Sequence, residues 1–197
     1  MVRKRNSASG ARQQTLKPPK GRPGNKDYEL LTYAIAKSTL GNVLVATGDK
    51  GVVAVLIDES PTALIDNLRT RFPKARLMQD DQMLASETSQ LVDYIESAKR
   101  DVILNLDLRG TEFQKKVWRA VRKLKPGETT TYTDLARAIG SPKAIRAVAN
   151  ACSLNPFAFA VPCHRVLHKK RALSFGPNRG DDRQRPMVDR EAKALEK

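Results

Sequence analysis

The hydrophobic pattern of the first half of the chain predicts a small sheet. Three short runs of apolar and β-branched residues are separated by Gly41 and by Asp49-Lys50-Gly51, which are typical of tight turns. Consecutive runs of this kind predict strands that pair antiparallel with their neighbours. The predicted strands are Leu31–Thr39, Asn42–Thr47 and Val52–Ile57.

Helical spacing follows this meander. Ser60 is a good N-terminal cap, and Pro61 fits the first position of a helix. A second helix is predicted from Gln82 to Lys99, and alternation over Val102–Leu108 predicts a further strand. We expect an α/β domain over residues 30–108, an antiparallel sheet with helices. It shows no cluster of catalytic residue types, so a structural role is expected.

The second half predicts a mostly α-helical domain over residues 109–197. Thr111 and Gln114 form a capping box before a helix with a broad apolar face. A short helix capped by Thr131 or Thr133 ends at Gly140, and Ser141 is expected to cap the next helix, over residues 143–151. Two short helices joined by a glycine turn predict a helix-turn-helix.

The third of these helices has an unusual predicted surface. It offers mostly small apolar residues, with Lys143 and Arg146 as the long polar groups before Asn150. The apolar residues predicted on this surface are Ala144, Ile145, Ala147, Val148, Ala149 and Ala151. Small residues favour close approach to a groove floor and recognition of duplex shape over readout of base edges. Arg146 is placed to fill the gap that an extruded base would leave.

Cys163 and His164 are the candidate chemical centre. They follow the apolar run Phe157–Val161 and precede Val166, so we expect a buried strand with the pair at its end or bend. An adjacent imidazole can accept the thiol proton and stabilise a thiolate. The alternative from the residues alone is a structural buried cysteine beside an unrelated histidine.

Composition narrows the class of protein. Cys152 and Cys163 are the two cysteines, which excludes a disulfide framework, and a four-ligand zinc site would need both of them and both histidines. We predict no metal site. No apolar run reaches 18 residues and no hydrophobic signal core opens the chain, so a soluble cytoplasmic protein is expected.

Charge is unevenly distributed along the chain. Residues 1–26 carry eight Lys and Arg and no acid, and a disordered basic tail is expected over 1–29. Residues 27–108 carry thirteen acids against eight bases, whereas residues 109–162 carry ten bases against three acids. The basic half contains the cysteine, which favours nucleic acid beside the reactive group, with a merely solvated basic surface as the alternative.

Several stretches together resemble one family. They are Phe113–Trp118, Pro126–Thr129, Tyr132, Ser141–Val148, Asn155-Pro156 and Pro162–Val166. The chain resembles the O6-alkylguanine-DNA alkyltransferases, in particular the carboxy-terminal repair domain of bacterial Ada-type proteins, over about residues 30–174. The amino-terminal sensing and activator modules of full-length Ada proteins are not expected in this chain.

The resemblance implies single-turnover repair without a cofactor. Cys163 would take the alkyl group from O6 of guanine, and also O4 of thymine, in a flipped-out nucleotide. His164 would act as base through a water, with Glu191 orienting it. Asn155 would tie the helix-turn-helix to the active-site segment, and Tyr132 would rotate the target phosphate and donate a proton to guanine N3.

The resemblance also implies a DNA-binding surface, on which Arg146 would replace the flipped base. The other residues assigned to it are Thr131, Tyr132, Lys143, Ala144 and Ala147. Plainer alternatives remain open: Tyr132 as a core aromatic, Arg146 as an ordinary phosphate contact, Asn155 as a turn residue, and Glu191 as a surface-helix residue.

The alkyl pocket is assigned to Cys152, Val166 and Ser174, with packing as the expected role of Cys152. The family has a Gly-Tyr-x-x-Gly lid beyond this point, whereas Phe175–Gly180 is one residue longer and lacks the tyrosine. Pro186 interrupts the last helix unless the helix starts there. A looser, more tolerant or defective pocket is therefore expected.

The expected function is irreversible transfer of a methyl or larger alkyl group to Cys163. The expected partner is double-stranded DNA containing O6-alkylguanine, bound by a monomer associated with the nucleoid. The alternative is a lesion-binding protein that flags alkylguanine without removing the group. Presence of Cys163 argues against that alternative.

Overall fold

The computed structural model describes residues 28–168 and 184–196. A four-stranded sheet in the order β3-β2-β1-β4 fills the first half, with one helix after β3 and another after β4. Its elements are β1 (Glu29–Ser38), β2 (Gly41–Gly48), β3 (Gly51–Asp58), α1 (Pro61–Arg71), β4 (Ala75–Gln79) and α2 (Ala85–Ser97). The predicted antiparallel meander and the helix capped by Ser60 are confirmed.

The sheet is mixed, because a strand absent from the prediction completes it. β4 pairs parallel with β1 at one edge, and most of its residues are partly or fully exposed, so its sequence lacks a clear alternating pattern. The predicted strand at Val102–Leu108 is wrong. That segment makes a single bridge, from Leu106 to Val52, and its alternation reflects the burial of Val102 and Leu104.

Both faces of the sheet are buried, which explains the nearly continuous apolar runs in its strands. One face packs against α1, where Leu44 and Leu56 meet Leu64. The opposite face packs against α2 and the helical half, where Val43 and Val55 share one cluster with helix residues. The sheet and the helical half therefore have a common core.

The helical half contains the predicted helix-turn-helix. Its elements are α3 (Glu112–Val121), β5 (Thr130–Thr131), α4 (Tyr132–Ala138), α5 (Ile145–Ser153), β6 (Val166–Leu167) and α6 (Gln184–Leu195). The capping box of Thr111 and Gln114 is present at α3, and the Thr131 hydroxyl accepts from the Asp134 N–H at the start of α4.

The start of α5 differs from the prediction. Ser141 does not cap this helix; its carbonyl accepts from the Ala144 N–H in a turn, and α5 begins at Ile145 without a side-chain cap. Val148 and Ala151, predicted on the surface, are buried in the core. One face of α5 therefore packs in the core, and the exposed face includes Arg146, Ala147 and Asn150.

The predicted strand over Phe157–Val161 is also wrong. The segment is a buried turn, in which Phe159 has a φ of 64° and reverses the chain. Phe157 makes one bridge to Val55 of β3, and the Ala158 N–H donates to the Val55 carbonyl at 2.9 Å. An apolar run this short fits a buried turn as well as a strand, because periodicity does not separate the two.

Residues 28 and 29 belong to the folded part, since β1 starts at Glu29 and its carboxylate pairs with Arg109 at 2.6 Å. The rest of the predicted basic tail lies outside the described residues. Across residues 28–168 and 184–196 no helix has the length and apolar character needed to cross a membrane. The predicted division at residues 108 and 109 stays a prediction.

Two turn glycines provide a test of this fold. Gly51 has a φ of 129°, and a Cβ there would lie 2.5 Å from the Asn105 carbonyl oxygen. Gly51→Ala should lower the free energy of unfolding by about 3 kcal/mol through strain and overlap. Gly140, with a φ of 68° and no atom within 4 Å of an added Cβ, is the control. Gly140→Ala should lower it by about 1 kcal/mol from backbone strain alone. Urea denaturation that ranks the two variants equally would contradict this.

Candidate active site

Cys163, His164 and Arg165 form one 3-10 turn between Pro162 and β6. The turn is held by the Cys163 N–H, which donates to the Val161 carbonyl at 2.7 Å, and by the Arg165 N–H, which donates to the Pro162 carbonyl. The thiol residue is 8 % exposed. The pair thus lies in a turn before a strand, not at the end of one.

The turn is tied to the helix-turn-helix through backbone pairing. β6 pairs parallel with β5, so Val166 lies opposite Thr130 and Leu167 opposite Thr131. Since Thr131 caps α4, the same two-residue ladder connects the cysteine segment to the first helix of the motif. Tyr132, the first residue of α4, packs its ring against His168, with centroids 4.8 Å apart and the two ring planes inclined by 55°.

His164 and Glu191 meet in the core. Nε2 of His164 lies 3.0 Å from Oε1 of Glu191, which α6 brings in from near the end of the chain. Glu191 is 1 % exposed, so it is not a residue of a helix surface. Pro186 lies in the first turn of α6, where its missing N–H has no intrahelical partner to lose.

Two side chains that sequence reasoning missed complete what we call the buried tetrad, namely Tyr94, His164, Arg165 and Glu191. Arg165 donates to Oε1 of Glu191 from Nε at 3.0 Å and from Nη2 at 2.8 Å, and to the Leu124 carbonyl at 2.6 Å. Tyr94 of α2 donates its hydroxyl proton to the same Oε1. A charged residue inside the apolar stretch around Cys163 was the available signal for Arg165, because a buried charge requires a buried partner.

Geometry assigns the proton positions on His164. Tyr94 has one hydroxyl proton and gives it to Glu191, yet its oxygen also lies 3.1 Å from Nε2. Nε2 faces this oxygen and a carboxylate oxygen, which both accept, so Nε2 carries the proton. In the neutral ring Nδ1 is then the acceptor, available on the side away from Glu191.

Electrostatics keep the tetrad at one defined ionisation state. Burial alone would raise the pKa of Glu191, but hydrogen bonds from His164 and Arg165 hold it far below its usual range. Burial lowers the pKa of His164, and the Glu191 carboxylate offsets this only in part. The tetrad near neutral pH is therefore a carboxylate paired with a guanidinium, beside a neutral imidazole.

Asn155 fastens the loop that carries the cysteine. Its Nδ2 donates to the Val161 carbonyl at 2.9 Å and to the Phe157 carbonyl at 3.3 Å, and lies 3.4 Å from Sγ of Cys163. Its Oδ1 accepts from the Phe157 N–H at 3.0 Å. The side chain stands two residues beyond α5, so it connects the helix-turn-helix directly with the thiol.

Four of the residues assigned to DNA contact lie together around the start of α5, while Thr131 and Tyr132 are half-buried at the start of α4. Lys143, Arg146 and Ala147 are exposed on the turn and first turn of α5, and Ala144 is half-buried. Ile145 is exposed beside them. The start of α5 therefore presents an exposed surface made of apolar residues and two basic side chains.

The assigned alkyl pocket is described in part. Cys152 is buried on α5 and Val166 is buried in β6. Ser174 and the altered lid at Phe175–Gly180 lie outside the described residues. Within the described ranges, no three His, Cys, Asp or Glu side chains are grouped to hold a metal ion.

Fold and site together define a helix-turn-helix protein with a buried cysteine, histidine and glutamate. Two family models match it: residues 31–108 fit the 6-O-methylguanine DNA methyltransferase ribonuclease-like domain, and residues 112–193 fit the DNA binding domain of the same family. The inducible methylated-DNA–protein-cysteine methyltransferase of Bacillus subtilis is 34% identical over 154 residues, which are 78% of this chain and 86% of that protein. The chain belongs to the 6-O-methylguanine DNA methyltransferase family.

Other relatives and solved structures are consistent with membership of this family. The bifunctional transcriptional activator/DNA repair enzyme Ada of Escherichia coli is 39% identical over 165 residues, 84% of this chain and 46% of Ada. The chain spans about half the length of this relative. The crystal structure of Mycobacterium tuberculosis O6-methylguanine methyltransferase superposes with a TM-score of 0.68 at 30% identity, covering 83% of this chain and 94% of that one.

The protonation of His164 predicts a pH dependence. Because the folded pKa is lower than the ordinary 6.5, the unfolded chain binds the proton better. The free energy of unfolding therefore has its full value, as far as His164 is concerned, above pH 6.5. It decreases as pH falls from 6.5 through the pKa of His164 in the folded protein. NMR titration of the imidazole should give a midpoint below 6.5, with a His168→Gln variant assigning the signal. A midpoint at or above 6.5 would contradict a neutral His164 that carries its proton on Nε2.

Asn155→Ala should lower the free energy of unfolding by about 3 kcal/mol, because it leaves buried carbonyl and N–H groups of the cysteine loop without partners. Asn150→Ala, an exposed change on α5, is the matched control and should stay within about 0.5 kcal/mol. Urea denaturation checks both variants. Equal stability of the two would mean that Asn155 does not fasten the loop.

Proposed function

We propose that the chain repairs DNA by direct reversal, as a single-turnover methylated-DNA–protein-cysteine methyltransferase. It takes a methyl or larger alkyl group from O6 of guanine, and from O4 of thymine, onto Cys163. The observation that carries this proposal is the buried thiol of Cys163 next to His164, whose other side is held by Glu191. Family membership supports it.

The proposed reaction is a displacement at the alkyl carbon. Sγ of Cys163 forms a bond to that carbon while the bond from the carbon to O6 breaks. The thiol proton passes to Nδ1 of His164 through a water. The leaving guanine takes one proton from Tyr132, and solvent carries the proton from His164 back to Tyr132, so thiol and O6-alkylguanine give thioether and guanine with no net change in protons. The product thioether has no low-energy route back to the thiol, and each molecule acts once.

The tetrad supports His164 as the base. A neutral imidazole with Nδ1 unprotonated accepts a proton, and the imidazolium that forms is stabilised by Glu191 on its other nitrogen. Glu191 needs no proton itself, since Arg165 already balances its charge. The arrangement works without a metal or an organic cofactor.

Duplex DNA is the proposed partner. The exposed start of α5 has small residues that suit a groove floor, and Lys143 and Arg146 supply positive charge for phosphates. The target nucleotide must leave the stack, because the thiol of Cys163 is buried in the protein. Arg146 fills the vacated space, while Thr131 and Tyr132 contact the flipped nucleotide's backbone.

A crystal structure of the Mycobacterium tuberculosis relative in complex with DNA supports this partner, at 30% identity and a TM-score of 0.68. We further propose that the chain acts as a monomer, because Asn155 already lies beside Cys163 and Glu191 beside His164 without a contribution from a second copy. DNA as substrate implies a location at the nucleoid in the cytoplasm.

Cys163→Ala should abolish removal of methyl from a duplex carrying one O6-methylguanine and should leave binding of that duplex intact. Ser153→Ala, an exposed change at the end of α5 and outside the assigned site, is the control and should keep transfer. Loss of O6-methylguanine from the DNA is measured together with binding by fluorescence anisotropy. Transfer by Cys163→Ala would disprove the proposal, and tight lesion binding without transfer by the unaltered protein would favour the lesion-flagging alternative.

Arg146→Ala should slow transfer from duplex DNA by about tenfold or more, because the gap left by the flipped base stays unfilled. Transfer from the free base O6-benzylguanine, which needs no flipping, should be unchanged. Arg69→Ala, an exposed arginine of α1, is the control for loss of one positive charge. Equal slowing with duplex and free base would exclude the proposed role of Arg146.

A further inference from the structure

Tyr94 brings a side chain of α2 into the buried tetrad. It is 1 % exposed, and its hydroxyl lies against Glu191, His164 and Arg165 at once. Its ring packs on Phe159, with centroids 5.9 Å apart, in the turn that precedes Cys163. The α/β half of the chain, for which the sequence predicted a structural role, thus contacts the groups that handle the thiol proton.

The hydroxyl of Tyr94 acts as a permanent donor to Glu191. Burial and then the nearby carboxylate raise the pKa of Tyr94 well above its usual range, so the proton stays on the oxygen. Oε1 of Glu191 therefore receives donors from Tyr94, from Arg165 and from His164. Oε2 receives the Gly127 N–H at 2.9 Å.

These hydrogen-bond donors fix the carboxylate of Glu191 in a single orientation. Arg165 approaches from the cysteine turn, Gly127 from the loop after α3, and Tyr94 from α2, so the carboxylate is held from three directions. Because the negative charge of Glu191 is shared among these donors, the carboxylate raises the pKa of the His164 imidazole less than it otherwise would. His164 is oriented by a carboxylate that does not keep it protonated.

We propose that Tyr94 is a positioning residue for alkyl transfer, which holds Glu191 and through it directs Nδ1 of His164 to the thiol. The inference rests on the transfer to Cys163 proposed above. It makes docking of α2 onto the helical half a condition for fast transfer. The competing account is that Tyr94 only fills space between α2 and Phe159, in which case phenylalanine would serve equally well.

The test compares Tyr94→Phe with Tyr33→Phe, the same change at another buried tyrosine of the α/β half. The Tyr33 hydroxyl reaches Gln79 at 3.5 Å, on the sheet face away from the tetrad. Transfer rate constants are measured at saturating O6-methylguanine duplex from pH 5 to 9 (about the range in which histidine titrates), with DNA affinity measured separately.

Tyr94→Phe should transfer about tenfold more slowly with unchanged DNA affinity, since a hydrogen bond to a charged group is lost. The acidic limb of its pH profile should move to higher pH. Without the Tyr94 hydroxyl, Oε1 of Glu191 keeps more negative charge beside Nε2, which raises the pKa of His164. The charged and titratable groups around that imidazole are Tyr94 on α2, Asp101 beyond α2, Cys163 and Arg165 on its own turn, and Glu191 on α6. Tyr33→Phe should match the unaltered protein.

If Tyr94→Phe changes neither the rate constant nor the acidic limb of the pH profile, the positioning role of Tyr94 is wrong. The proposed alkyl transfer to Cys163 would be unaffected by that result. NMR titration of His164 is a readout without DNA: its midpoint should rise in Tyr94→Phe and stay in place in Tyr33→Phe. Absence of transfer by the unaltered protein would refute the proposed function instead, so the two failures are distinguishable.

Discussion

Two opposite charges, the guanidinium of Arg165 and the carboxylate of Glu191, lie together in the core and share hydrogen bonds at 2.8 to 3.2 Å. Removing one partner of such a pair typically costs about 3 to 5 kcal/mol, because the other charge is left buried. The chain therefore keeps α6 docked against the cysteine turn whenever it is folded. Glu191 reaches His164 as a consequence of that pairing.

The same constraint links distant parts of the molecule. α6 delivers Glu191, while Arg190 beside it donates to the Ile95 carbonyl of α2. α2 delivers Tyr94, β5 and β6 join the cysteine turn to α4, and Asn155 joins it to α5. Within the described residues, α6 thus ties the thiol segment to α2, β5 and β6 tie it to α4, and Asn155 ties it to α5, which fixes its position relative to the surface proposed to bind DNA.

Local signals predicted the parts of this fold that local chemistry determines. Gly41, Gly51 and Gly140 marked real turns, and Thr111 with Gln114 marked a real helix start. The strand predicted over Phe157–Val161 failed because a buried turn and a buried strand share one apolar pattern. Tyr94 and Arg165 were missed for another reason: their roles come from contacts between distant residues, 26 positions apart for Arg165 and Glu191 and 97 for Tyr94 and Glu191, which no local pattern encodes. Glu191 was assigned through resemblance, and the structure puts it beside His164, while its role stays a prediction.

The most direct measurement is the intact mass of the unaltered protein after mixing with a duplex that carries one O6-methylguanine, followed by peptide mapping. Our account predicts a gain of one methylene per molecule, saturating at one and located on Cys163. A protein whose mass does not change, or whose added methylene maps to Cys152 or another residue, would contradict the account.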